Sequence, residues 1–210
     1  MSGERVSGGG MNKVVLATRN AGKIVELRRI LEESGLQIEL VGLEDFPHIA
    51  DVAETGLTFA ENALLKAHAV ASESGLPAIA DDSGLCVDAL NGMPGIFSAR
   101  WSGSHGDDLA NLRLLLAQIS DVPDGRRQGH FACTAALALP SGEEHVVEGA
   151  MHGHVIREPR GANGFGYDPI FVPDGESRTT AEMSAGEKDA ISHRGRAFRA
   201  LVPVIESIVL

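Results

Sequence analysis

The sequence is short of several things, and each shortage narrows what the chain can be. It has only two cysteines in 210 residues. Cys86 and Cys133 both sit in apolar runs without Cys-x-x-Cys spacing, so they read as buried reduced thiols, which suits a reducing cytosol and a cytoplasmic protein. Positive charge is also scarce: 18 Lys plus Arg against 29 Asp plus Glu leave a net charge of −11. That argues against a surface that tracks the backbone of a nucleic-acid polymer, because such binding rests on clustered positive charge. A small polyanion stays possible where local basic groups or a metal offset the overall field. No apolar run approaches the roughly 20 residues needed to span a bilayer, and there is neither an internal repeat nor a long low-complexity linker. Met1 to Gly10 is polar and glycine-rich and lacks the apolar core of a secretory signal. Residues 1–11 are expected to be a disordered extension ahead of a single domain over residues 12–210.

What is present is ordinary for a folded protein, with 43% hydrophobic and 22% charged residues. Lys13 to Thr18 is a β-rich run followed by a polar connection and a helical pattern in which Ile24, Leu27, Ile30 and Leu31 share a face up to Gly35. A helix reached directly from a strand offers backbone N–H groups and a positive dipole end to a phosphate, and Asn20 and Lys23 would reinforce it. A Walker A loop is excluded, since Ala17 and Ile24 occupy positions that need Gly and Ser or Thr. A second strand is expected over Gln37 to Val41. Gly42 to Gly56 reads as an acidic loop, and Thr58 with Glu61 has capping-box spacing at the start of a helix that stops at Gly75.

Pro77 to Ala80 reads as a buried strand that ends abruptly at Asp81-Asp82, with Ser83-Gly84 as a turn. Strand alternation points the two acids in different directions. The pair is either a solvated strand end or part of a site, and this stretch alone leaves both open. A short strand is expected over Leu85 to Leu90. Leu109, Leu112, Leu115, Leu116 and Ile119 mark an amphipathic helix capped by Asp107. Phe131 to Leu139 and Glu144 to Ala150 flank a Pro-Ser-Gly turn as a hairpin, so the sheet is mixed. His152 and His154 read as exposed strand histidines rather than metal ligands. Between Gly161 and Pro169, three glycines surround Phe165 and Tyr167, which either present a ring to a ligand or tuck into the core. Ser184 to Glu187 and Ser192 onward open two more helical segments, the second placing His193 and Arg194 at its start with Ala197, Leu201 and Ile205 inward.

Five stretches together resemble the inosine triphosphate pyrophosphatases, the non-canonical purine nucleoside triphosphate pyrophosphatases: Thr18-Arg19-Asn20-Ala21-Gly22-Lys23, Glu54 to Ala63, Ala80 to Leu85, Gly164 to Pro169 and Ser192 to Gly195. The resemblance covers nearly the whole chain. It implies an elongated α/β fold, a mixed twisted sheet flanked by helices in two lobes with a central cleft, and a homodimer. It also implies hydrolysis of ITP, dITP and XTP to the monophosphate and pyrophosphate, with Mg²⁺ as cofactor. Carried over residue by residue, Thr18, Arg19, Asn20, Ala21, Gly22 and Lys23 would hold the triphosphate, with Lys66 adding charge. Glu54 and Asp82 would bind Mg²⁺, Asp82 would be the general base, and Asp81 its support, with Ser83 beside them on the substrate. Phe165, Gly166, Tyr167, Asp168, Lys188, His193 and Arg194 would form the purine pocket. Arg19 and Asn163 depart from the family pattern, in which small residues are common at those places. Alternatives from the same residues are a pyrophosphatase for other modified nucleotides and a catalytically silent nucleotide-binding regulator.

Overall fold

In Lys13–Leu16 (β1), Val14 and Leu16 face one side, Val15 faces the other, and all three are buried. A strand buried on both faces needs a covering layer on each. Ala21–Glu33 (α1) and His193–Val209 (α5) supply one layer, packing Leu27, Ile30, Phe198 and Leu201 around Val14 and Leu16. Phe59–Ser74 (α2) supplies the other, where Ala63, Ala67 and Val70 meet Val15. The run of alanines on α2 lets its backbone lie close to the sheet. This computed structural model describes residues 13–36 and 38–209. The expected extension at 1–11 and the expected strand start at Gln37 lie outside the described residues.

The remaining strands are Glu39–Gly42 (β2), Ala78–Val87 (β3), Met93–Pro94 (β4), Gln128–Ala138 (β5), Glu144–Val155 (β6) and Phe171–Pro173 (β7). Their order is β2-β1-β3-β5-β6-β7, with β4 paired to β3. β1 runs parallel to β2 and β3, and every other pairing is antiparallel, so the sheet is mixed as expected. A third apolar cluster gathers at the far half of β3, β5 and β6, where Leu85, Phe131 and Met151 pack under Leu112 and Leu115 of Asp108–Gln118 (α3). Asp107 caps α3 through Ala110 N–H, and Ser184 opens Ala185–Ile191 (α4) with a complete capping box.

Several expectations need correction. Asp81 to Gly84 is no turn: β3 continues without a break from Ala78 to Val87, pairing Asp81 with Ala135 and Asp82 with Thr134. Gly84 is small for another reason. A Cβ there would collide with the Gly95 carbonyl oxygen and the Ser98 hydroxyl, so the glycine admits a close neighbour in an ordinary extended backbone. The short strand expected at Leu85 to Leu90 is therefore the second half of β3, followed by a single 3₁₀ turn over Asp88–Leu90. Leu109 is exposed, since α3 packs through Leu112, Leu115 and Ile119. At α2, Thr58 accepts from Glu61 N–H, but the Glu61 carboxylate turns back to Leu57 N–H, one residue before the cap.

Candidate active site

Because β3 is continuous, alternation holds through the acidic pair and sends the two carboxylates to opposite faces of the sheet. Asp81 shares the α1/α5 face with Ile79; Asp82 shares the α2 face with Ala80. Asp81 is buried, with Lys23 Nζ at 3.0 and 2.9 Å from its two oxygens and Arg194 Nε at 3.2 Å. Burial alone would raise its pKa, but Lys23 and Arg194 outweigh that and hold it well below the usual carboxylate range. Arg194, also buried, continues the network to Glu26 and to the Ser83 hydroxyl, both at 3.0 Å.

Asp82 is in a different state. Its Oδ2 accepts from Asn62 Nδ2 at 2.9 Å and its Oδ1 from Ser83 N–H at 2.9 Å. Burial pushes its carboxyl above the usual range; Lys66 opposes the shift and Glu54 adds to it. Two adjacent residues thus have pKa values driven apart by their surroundings, the arrangement expected of a structural anion beside a proton acceptor. Glu54 sits on the loop before α2, 2.6 Å from Lys66 Nζ, which also donates to the Asp81 carbonyl at 2.8 Å. Burial would raise Glu54, and Lys66 outweighs it, so this carboxylate stays ionised. Lys66 thus points inward, its ammonium held between Glu54 and the Asp81 carbonyl.

These groups line a cavity of about 860 Å³ whose wall includes Thr18, Arg19, Asn20, Lys23, Glu54, Lys66, Asp81, Asp82, Ser83, Phe165 and Arg194. At its phosphate-type loop, Asn20 Oδ1 caps α1 by accepting from Gly22 and Lys23 N–H, and Asn20 N–H donates to Thr18 Oγ1. The first-turn N–H groups expected to be free are thus partly engaged. Arg19 reaches across to Asp51 and the Ile49 carbonyl. Ala21 opens α1, and Gly22 borders a neighbouring hollow rather than the main cavity.

A smaller slot of about 110 Å³ adjoins the cavity, sharing Ser83, Ala99, Asp108, Phe165 and Arg194 with it. Gly166, Tyr167, Asp168, Lys188, His193 and Phe131 also line it. The two aromatics of the glycine-dense loop divide the alternatives that their sequence left open. Phe165 is 52% exposed and lies over the Lys188 ammonium and the Arg194 guanidinium, whereas Tyr167 is buried and donates to the Ser98 carbonyl at 2.9 Å. Asp168 is buried too, and both its oxygens are engaged: Oδ1 by Thr180, Oδ2 by Lys188 and Phe165 N–H. His193 stacks on Phe131 with ring centroids 4.9 Å apart. Burial, then Arg194 and Lys188, push its pKa well below the ordinary value, and its Nδ1 is buried without a hydrogen-bond partner.

The chemistry of the donors suits Mg²⁺. That ion is held by one or two carboxylates together with substrate phosphates and water rather than by an all-protein cage. Glu54 and Asp82 both line the cavity and would supply such a pair. Among the described residues no group of three or more His, Cys, Asp or Glu could hold a metal ion. The site residues that sequence reasoning missed are Asn62, Glu26 and Arg100. Asn62 stood inside a noted motif, and Glu26 lies one helical turn beyond Lys23, a spacing that places both on one face of α1.

Comparison with known proteins puts names beside this geometry. Residues 14–204 match the Ham1 family. The chain is 66% identical over 199 residues to a dITP/XTP pyrophosphatase of Streptomyces coelicolor, covering 95% of this chain and all of the relative. A solved structure of the nucleoside-triphosphatase, or dITP/XTP pyrophosphatase, of Mycobacterium abscessus is 57% identical with a TM-score of 0.76, covering 92% of this chain and 99% of that one. A HAM1 protein of Coxiella burnetii is 41% identical with a TM-score of 0.85, covering 93% and 98%.

Proposed function

This chain belongs to the Ham1 family, and we propose that it hydrolyses dITP, XTP and ITP to the monophosphate and pyrophosphate, clearing them from the nucleotide pool. The observation that carries the reading is a slot bordered by His193, whose buried Nδ1 has no hydrogen-bond partner, adjoining a cavity lined by paired carboxylates and cations. A base in the slot and a triphosphate in the cavity would complete both.

In this proposal Glu54 and Asp82 hold Mg²⁺, which when bound offsets phosphate charge and makes water easier to deprotonate. Asp82, raised by burial, takes the proton of the attacking water at the α-phosphorus. Asp81 stays ionised and fixes Lys23 and Arg194. Thr18, Arg19, Asn20, Lys23 and Lys66 meet the phosphates, with Ala21 and Gly22 as the first turn of α1 behind them, and Ser83 lies between phosphates and base. Phe165 supplies a ring face to the purine. His193, held neutral, offers the 6-oxo oxygen a hydrogen bond that adenine's amine cannot accept. Gly166 and Tyr167 shape the slot, while Asp168 orders the loop and positions Lys188. The same family likeness supports a homodimer and a cytoplasmic setting, which two free buried thiols suit.

Incubation with dITP and Mg²⁺, with products separated by anion exchange, tests the reading. Equimolar dIMP and pyrophosphate support it. Stepwise release of orthophosphate, or tight binding without turnover by folded protein, overturns it.

A further inference from the structure

The cations around the main cavity are unequally committed. Lys23 is spent on Asp81, Lys66 on Glu54 and the Asp81 carbonyl, Arg19 on Asp51 and Ile49, and Arg194 on Asp81, Glu26 and Ser83. Arg100 also lines the cavity, yet its guanidinium donates no hydrogen bond to any described residue. It lies over the Phe97 ring, 5.2 Å from the centroid, and 3.7 Å from Glu54 Oε2, with 30% of the side chain exposed. A planar fork of five N–H groups half-buried beside a carboxylate is an incomplete arrangement, and it matches phosphate geometry.

The backbone behind Arg100 is firmly placed. Arg100 ends a 3₁₀ segment, Gly95–Arg100, fastened to β3 where Ser98 Oγ accepts from Leu85 N–H at 2.9 Å and donates to the Gly95 carbonyl at 2.7 Å. The Ala99 carbonyl accepts from Gly106 N–H at 2.8 Å and from Asn111 Nδ2 at 3.2 Å. The guanidinium therefore sits at the end of a fixed support, held among the described residues only by the Phe97 ring and the long pair with Glu54. The residues that the two spaces share put Arg100 on the phosphate side of the slot. Ser83, Phe165 and Arg194 border both slot and cavity, whereas Arg100 and Glu54 border the cavity alone.

We infer that Arg100 is a further substrate-binding residue that grips the distal phosphates, the part that leaves as pyrophosphate. The inference rests on the nucleotide reading above. Its role differs from that of Lys23 and Lys66, which must loosen hydrogen-bonded ion pairs at 2.9 and 2.6 Å to reach a phosphate, whereas Arg100 has only a longer 3.7 Å pair with Glu54 to loosen.

Calorimetric titration with inorganic pyrophosphate and, separately, with IMP at saturating Mg²⁺ tests it on wild type, Arg100→Gln and Arg100→Lys. Losing a charge-assisted contact of this kind should weaken pyrophosphate about 10- to 100-fold. IMP affinity should stay within about twofold of wild type, the size of a contact not made, and Arg100→Lys should recover part of the loss. Equal pyrophosphate affinity in wild type and Arg100→Gln, or no affinity in either, overturns the inference. So does an equal loss for IMP, which would make Arg100 a support of the whole site rather than a pyrophosphate contact. Failure of folded wild type to cleave dITP overturns the function instead; cleavage by wild type with an unaffected Arg100→Gln overturns Arg100 alone.

Discussion

Asn62 Nδ2 donates to Asp82 Oδ2 at 2.9 Å, while Oδ1 of the same amide accepts the Gly56 N–H at 2.8 Å. One fully buried carboxamide therefore joins β3, which carries Asp82, to the loop that carries Glu54. Asn62→Ala leaves both partners short of a hydrogen bond and should cost about 1–3 kcal/mol of stability. Turnover should fall as the two carboxylates lose their common brace. Urea unfolding measures the first effect, and a midpoint equal to wild type would contradict the bracing role.

Asp82→Asn keeps the shape of the side chain and removes its basicity. With Asp82 as proton acceptor, kcat should drop by about two to four orders of magnitude, the usual size of general-base catalysis, with a folded protein that loses about 1–3 kcal/mol at most, since the new NH2 meets a donor. Near-normal turnover of dITP by this variant would sink the assignment.

Lys23→Ala should affect more than substrate binding. The ammonium is the nearest cation to a buried carboxylate, and its loss leaves Asp81 with the Arg194 guanidinium, the Cys133 thiol at 3.9 Å and the field of Lys66. A stability loss of about 1–3 kcal/mol should accompany weaker triphosphate binding. Denaturation and kinetics read the two separately; weaker binding with unchanged stability would show that Lys23 serves the substrate only.

His193 makes a pH prediction. Its pKa is depressed in the fold by burial, Arg194 and Lys188, with Lys23 acting in the same direction and Asp81 against it. The unfolded chain protonates this imidazole near pH 6.5, so the folded state loses stability as pH falls below that value, by up to about 1.4 kcal/mol per pH unit. His193→Gln should remove that share of the acid sensitivity between pH 7 and 5. Parallel stability curves for variant and wild type would refute it, as would an imidazole NMR signal of His193 that titrates over this range.

Local physics made much of this fold readable in the sequence. The apolar stripe of α1, the Asp107 and Ser184 caps and the hairpin turn each depend on residues within a few positions of one another. Alternation alone separated Asp81 from Asp82 correctly. The misread turn shows the limit: Ser83 and Gly84 have turn chemistry, and only the approach of the distant Gly95 segment explains the glycine. Asn62 and Glu26 stayed hidden for the same reason. Their roles come from Asp82 and Arg194, 20 and 168 residues away in sequence.

Gly84 also fixes a dimension. With no side chain between β3 and the Gly95 carbonyl, the wall that ends in Arg100 stands nearer the sheet than a Cβ at Gly84 would allow. Even alanine would act as a wedge, moving that wall away from Asp82 while leaving every charged group unaltered. Redesign of this pocket can thus exchange the chemistry of its walls freely, but their separation is set by one hydrogen atom in place of a methyl group.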